Sequence, residues 1–586
     1  MKFNILALLL AAAVSASAVG DKASPMIENP ILTGFNPDPS ILRVEDDYYV
    51  ATSTFMWFPG VQIHHSKDLV NWRLLTHPLT RVSQLNMDGA SSSEGVWAPN
   101  LSHADGRFWL IYTNVKTWEA CGARGTNNDT HNYLVTAEKV EGPWSEPIYM
   151  NSSGFDPSLF HDDDGRKWFL NMLWDFREGK QRFSGVMLQE YSVEEQKLIG
   201  EPVNIYKGSG LGGTEAPNLY KLDNGYYYLI VAEGGTEWWH AVVVARSRNI
   251  EGPYETDPGG SCITSREKPD LYLQKAGHGS LVETQNGEYY IAHLVGRPIE
   301  IAAQTNEVGE VINKPLRRCI LGRETAIQKM VLTEDNWIRM ADGSNDPKRL
   351  VEAPAGLKPH KFKKEKAKDK FKGKELNVHW HSPRLPITAD WASLKKGKLV
   401  IRGRESMISR HNLSMVARRL KHFKAQVTTA VEFDPTNFQE LAGLTAYYDE
   451  RNHYLLAITF DEEKGKVLKV VRNDSGRYDE VGLFEESPAS TNEQGVVEAA
   501  VVEAMVAIPE SKPVYLRATI DYAKLQFAWS LDEKSWIDIG PVLDSTILSD
   551  DYDGLNFTGA FVGMAVMDYR MQSKKALFDY FEYSGR

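Results

Sequence analysis

Three acidic residues stand in matching contexts along the first half of the chain: Asp38 in NPDPS, Asp156 in GFDPS and Glu215 in GTEAP. The proline that follows each one fixes φ and gives up a ladder donor, which suits a strand beginning at a rim. A lone Asp-Pro is an ordinary turn or strand start. Three carboxylates brought together are different, because like charges destabilise a site unless chemistry uses them. A carboxylate pair is the minimal apparatus for glycosidic hydrolysis. One member is protonated and donates to the leaving oxygen; the other is ionised. If the second activates water, the configuration inverts and the pair stands ~6.5–9.5 Å apart; if it attacks directly, configuration is retained at ~5–5.5 Å. A third carboxylate near the acid raises its pKa by repulsion and can hold it by a hydrogen bond. The residues alone leave open which of the three is the acid. A glutamate reaches one methylene further from a wall, which favours Glu215 as donor, Asp38 as base and Asp156 as tuner.

Convergence requires a repeated scaffold, and the sequence contains one. A turn dipeptide followed by paired aromatics recurs at Asp46-Asp47, Asp105-Gly106, Asp164-Gly165, Asn224-Gly225 and Asn286-Gly287, at intervals of 59, 59, 60 and 62 residues. Asp-Gly and Asn-Gly tolerate the positive φ of two-residue hairpin turns, and flanks such as FWLIYTNV and YYYLIVAEGG are strand-like. Five equally spaced hairpins predict a five-bladed β-propeller. Eight or nine residues before the turns stand Asp38, Trp97, Asp156, Glu215 and His278. In a propeller the innermost strand of each blade lines the axis, so these five are expected to meet at one end of the channel.

Composition agrees with a β-rich globular protein. Apolar residues make up 42% of the 586 positions, with 15 Trp, 25 Tyr and 22 Phe. The net charge of −12 repels phosphate backbones, so no nucleic-acid partner is expected. Residues 1–18 read as a secretory signal peptide, with Lys2, the apolar stretch Ile5 to Val14 and the small residues Ala16-Ser17-Ala18. The protein is therefore expected to be secreted, with no membrane span. Three cysteines, Cys121, Cys262 and Cys319, are too few for a disulfide scaffold, and no bridge is expected. Sequons begin at Asn100, Asn128, Asn151, Asn412, Asn473 and Asn556, and several of them are expected to carry glycans in a eukaryotic host.

The stretch GFNPDPSILRVEDDYYVATSTFMWFPGVQIHHSKDLVNW closely resembles glycoside hydrolase family 43. The resemblance continues through VWAPNLSHADGRFWLIYT, GFDPSLFHDDDGRKWFLNM, GTEAPNLYKLDNGYYYL, GHGSLVETQNGEYYIAHL and LGRETAIQ, and resumes in FQELAGLTAYY and NFTGAFVG. It fits the β-xylosidase and α-L-arabinofuranosidase branch with a C-terminal β-sandwich. The resemblance implies an all-β chain, a propeller followed by a jelly-roll-like sandwich, and an inverting mechanism. It implies that Asp38 is the general base, Glu215 the general acid and Asp156 the modulator that orients it. Arg323, in LGRET, looks like the residue that binds sugar hydroxyls. Phe55 and Trp97 are expected as apolar walls, with Thr54, Trp57, Phe58 and Trp239 as weaker candidates. His278 lies under the pocket in this family and in some relatives ligates a calcium-like cation; no cofactor is otherwise required. One sandwich loop is expected to close the pocket with Phe557, which favours exo attack and leaves Asn556 unmodified.

The expected domains are the propeller at 26–345, a linker at 346–375 containing the lysine-dense run KFKKEKAKDKFKGK, and the sandwich at 376–586. The expected partners are xylo-oligosaccharides or arabinoxylan fragments. Two segments, WEACGARGTNNDTHNYL with His131 and RPIEIAAQTNEVGEVINKP, do not align with the branch and bear on subsite preference. A fructan-cleaving propeller would need an Arg-Asp-Pro motif near the middle blades, and the sequence has none. A non-catalytic carbohydrate-binding propeller would be expected to lack one of the carboxylates.

Overall fold

The computed structural model describes residues 25–118, 127–302, 304–305, 311–313, 316–481, 490–491, 497–498, 505–510, 513–554 and 556–586. The expected signal peptide, Cys121 and parts of both unaligned segments lie outside the described residues.

The paired aromatics build the first half through simple alternation. In a strand, successive side chains point to opposite faces. In the strand Tyr227–Glu233, Tyr227, Leu229 and Val231 pack toward one neighbouring sheet, while Tyr228 and Ile230 pack toward the other. The same division separates Trp109 from Phe108, Phe169 from Trp168 and Tyr290 from Ile291. Each second strand is thus buried on both faces. Five cores result, one in each gap between neighbouring sheets, and the last joins Ile41, Tyr48 and Val50 to Val282, Tyr290 and Ile327. Burying one such side chain is worth about 1.5–3 kcal/mol.

The sheets are five antiparallel blades. Their innermost strands are Ser40–Val44, Gly95–Ala104, Ser158–His161, Glu215–Lys221 and Gln274–Glu283. The hairpin of the second blade pairs Ala104 with Arg107 around Asp105 (φ 54°) and Gly106 (φ 70°), so both turn residues are left-handed. The ring closes where Met26–Glu28 pairs with Leu350–Glu352. There the Asn29 amide clamps Ile327 on both sides, donating to its carbonyl at 2.7 Å and accepting from its N–H at 2.9 Å.

The second half is a sandwich of two antiparallel sheets. One is built on Lys575–Gly585, Lys424–Glu432, Val514–Asp521 and Lys524–Ser530, the other on Phe561–Asp568, Glu440–Tyr447, His453–Asp461 and Gly465–Asp474. Lys368–Asp369, within the lysine-dense run, pairs with Lys575–Gly585.

The two halves share a core. Trp57 stacks on Phe561 with ring centroids 3.5 Å apart, and their hydrophobic cluster runs from Phe35 and Phe55 to Met415 and Met567. Ser382–Pro383 pairs with Trp57–Phe58. Arg384, 1% exposed, binds the Ala90 carbonyl and Ser92 of the propeller and Glu450 of the sandwich.

Candidate active site

The blades enter the axis through a kink. One residue at the head of each innermost strand is left-handed: Asp38 (φ 55°), Ala98 (35°), Asp156 (55°), Ala216 (51°) and His278 (51°). Non-glycine residues occupy that region sparingly and at some cost, which tertiary packing must offset. The pairing with the second strand slips between Trp97 and Asn100, Glu215 and Asn218, and Gly277 and Gly279. Such irregularities re-aim side chains near functional sites. They also correct the equal-offset expectation. Trp97 and Glu215 precede the kink by one residue, whereas Asp38, Asp156 and His278 occupy it.

Asp38, Phe55, Trp97, Asp156, Glu215, His278, Arg323 and Phe557 all line one cavity of about 390 Å³. The Ser53 hydroxyl donates to Asp38 Oδ2 at 2.6 Å, and Arg323 Nη1 stands 3.5 Å from Oδ1. The Ala216 N–H donates to Asp156 Oδ2 at 3.1 Å, so the residue after Glu215 ties the third blade to the fourth. Glu215 is open to the cavity but surrounded by protein. Burial, then the charges of Asp156 and Asp38, push its carboxyl well above the ordinary range, against the opposing charge of Arg323. Burial and the Asp38 charge push Asp156 upward too, against the Ala216 N–H and Arg323.

His278 Nδ1 lies 3.7 Å from Asp38 Oδ1. Burial, together with the charge of Arg323, lowers its pKa against the opposing effect of Asp38. This donor set does not fit a protein-held cation. Calcium takes about 6–8 oxygen ligands, and among the described residues no three His, Cys, Asp or Glu side chains group as a metal site.

Phe557 arrives from the sandwich and is fixed at both backbone ends. Its N–H donates to Ser93 Oγ at 3.2 Å and its carbonyl accepts from Arg323 Nη2 at 2.6 Å. Its ring meets Trp97 edge-on at 5.4 Å and Phe55 at 6.3 Å, and the Arg323 guanidinium lies 5.0 Å from the Phe55 ring centroid and 5.5 Å from that of Phe557. The Asn556 amide, next to it, donates to the Asp553 carbonyl at 2.6 Å.

The weaker candidates lie elsewhere. Trp57 and Phe58 are core residues, and buried Thr54 accepts from the Val61 N–H. Trp239 is 49% exposed, beneath Arg266. His131 bonds Ser152 and is not among the lining residues. An aromatic wall was missed: Trp118 packs 4.9 Å from Trp97 and 5.2 Å from Trp174, and Trp174 packs 5.6 Å from Phe183. Trp118 opens the first unaligned segment, and Trp174 and Phe183 flank one hairpin loop of the third blade. Aromatics at loop ends rather than mid-strand were the available signal. Thr236 and Glu237 also line the cavity.

Residues 27–338 match the family model described as glycosyl hydrolases family 43. The chain belongs to glycoside hydrolase family 43. In this family 43 enzyme, residues 368–584 match a second model, the β-xylosidase C-terminal concanavalin A-like domain. The enzyme is 46% identical over 564 residues to a protein of Humicola insolens named xylosidase/arabinosidase 43B, covering 95% of this chain and 98% of that one. It is 46% identical over 562 residues to a β-xylosidase of Bacillus subtilis, covering 95% and 99%. The crystal structure of a xylan β-1,4-xylosidase from Bacillus halodurans superposes with a TM-score of 0.87 at 51% identity, covering 95% of this chain and all of that one.

Proposed function

We propose that this enzyme is an exo-acting, inverting β-xylosidase that releases xylose from the non-reducing ends of xylo-oligosaccharides and also accepts α-L-arabinofuranosyl residues. The observation that carries the reading is the cavity itself. Three carboxylates and a buried arginine share one well that Phe557 of the sandwich helps to line. A well of that kind suits the terminal sugar of a chain, and the names of the relatives agree on the sugars.

In this scheme Asp38 takes a proton from water as the water oxygen bonds to the anomeric carbon. Glu215 gives its proton to the glycosidic oxygen on the opposite face as the bond to the leaving group breaks. Asp156 keeps Glu215 protonated through its charge and orients it through Ala216. Arg323 and the aromatic walls bind the sugar. Two donors fix the orientation of Asp38, whereas Glu215 faces carboxylates that discourage its ionisation, and this asymmetry supports the assignment.

Side-by-side kinetics on aryl β-xyloside and aryl α-arabinofuranoside test the reading, and hydrolysis of neither overturns it. Proton NMR of the first xylose released from an aryl β-xyloside, which yields no second sugar, should show the α anomer. Initial β-xylose would require a covalent intermediate and end the inverting scheme.

A pH profile tests Asp156. The acid must stay protonated, so activity falls as pH rises through the raised pKa of Glu215. Asp156→Asn removes one of the like charges that raise it. The alkaline limb of kcat/KM on xylobiose should therefore move to lower pH. An unmoved limb would contradict the role.

A further inference from the structure

Behind Arg323 lies a carboxylate that the reaction scheme does not use. Asp550 follows the single-turn helix Ser545–Ile547 of the sandwich and is 2% exposed. Its Oδ1 accepts the Tyr448 hydroxyl at 2.5 Å. Its Oδ2 lies 3.5 Å from Arg323 Nε, and both of these buried atoms lack any hydrogen bond. The rest of the guanidinium is engaged at the cavity. Nη1 bonds Thr236 Oγ1 at 3.1 Å and faces Asp38, and Nη2 bonds the Phe557 carbonyl. Arg323 therefore lies between two carboxylates, Asp38 in front and Asp550 at its Nε edge. A buried charge of either sign persists only when paired.

The next residue repeats the arrangement. Asp551 Oδ1 pairs with Lys275 Nζ at 2.7 Å, and Oδ2 accepts the Cys319 N–H at 2.9 Å. Lys275, with no exposed side chain, also reaches Glu237 at 3.0 Å, and Glu237 lines the cavity. Two consecutive sandwich carboxylates thus enter the propeller, and each meets a buried cation next to the well.

We propose that Asp550 is a positioning residue supplied by the second domain: by holding Nε, it aims the Nη edge of Arg323 at Asp38 and at the hydroxyls of the bound sugar. The inference rests on the glycosidase reading above. An arginine that binds hydroxyls does so in the ground state as well as the transition state, so losing its orientation weakens binding more than turnover.

The test compares wild type with Asp550→Asn, Asp550→Ala and Tyr448→Phe on aryl β-xyloside, with free xylose as competing ligand. Asn keeps the volume without the charge. For Asp550→Asn, KM and the inhibition constant of xylose should rise together about tenfold, equivalent to ~1.4 kcal/mol, while kcat changes less. Tyr448→Phe, which frees one oxygen of Asp550, should move both constants in the same direction by less. A residue that merely holds the fold together would lower the melting temperature and the active fraction but leave both constants alone. Folded Asp550→Asn with wild-type KM and xylose inhibition overturns the proposal. If neither Asp550 variant folds, unchanged constants in Tyr448→Phe overturn it. Wild type that hydrolyses no glycoside removes the glycosidase reading and this inference together; active wild type with unaltered variants removes only the inference.

Discussion

Asp38→Asn should slow hydrolysis by roughly 10²–10⁴-fold, the range for loss of a positioned general base, with no change in the melting profile. The fold should survive because Asn is isosteric and can still accept from Ser53, which donates to Asp38 at 2.6 Å. Removing the carboxylate also relieves repulsion with its neighbours, since the Asp38 charge contributes to the raised pKa of both Asp156 and Glu215. The chemistry should not survive. Water must lose a proton as it attacks, whatever the leaving group, so aryl xylosides and xylobiose should suffer alike. Steady-state rates on both substrates check this, and substantial residual turnover on either would remove Asp38 from the role.

Glu215→Gln should separate those same substrates. A xylose leaving group departs as an alkoxide unless it is protonated, so xylobiose hydrolysis should fall by roughly 10²–10⁴-fold. A dinitrophenolate departs without help, so the corresponding aryl xyloside should lose no more than about tenfold. The alkaline limb of the wild-type profile, assigned to Glu215, should vanish with it. Equal losses on both substrates would mean that Glu215 does something other than donate a proton. Read together, the two variants distinguish base from acid by the leaving-group dependence of the damage, which neither does alone.

The propeller was legible because its physics is local and repeated. A left-handed turn, then two aromatics that must serve opposite neighbours, recurs in every blade, and each copy reinforces the others. Asp38 and Asp156 were legible for the same reason. Glu215 was legible through the same register, at nine residues rather than eight before its turn, which leaves it one residue ahead of the kink at Ala216. Trp118, Trp174 and Phe183 were not legible as a wall, because they stand at or just beyond strand ends, where the repeat carries no pattern, and meet only once the blades are assembled. Phe557 came from family resemblance and not from any pattern of its own. Asp550 gave no signal at all. Its neighbourhood reads SDDYDG, an ordinary acidic turn, and its importance depends on a guanidinium more than two hundred residues away in sequence.

The stack of Trp57 on Phe561 and the strand pairing at Ser382–Pro383 carry a consequence for how this architecture can change. Side chains from both halves interleave in a single dry cluster, so the catalytic half is not a portable module. A partner borrowed from another protein would have to reproduce a tryptophan-sized socket, a buried arginine and the plug of the well at once. Such a pair is expected to be inherited and altered as a unit, with substitutions on one side of the seam constrained by those on the other.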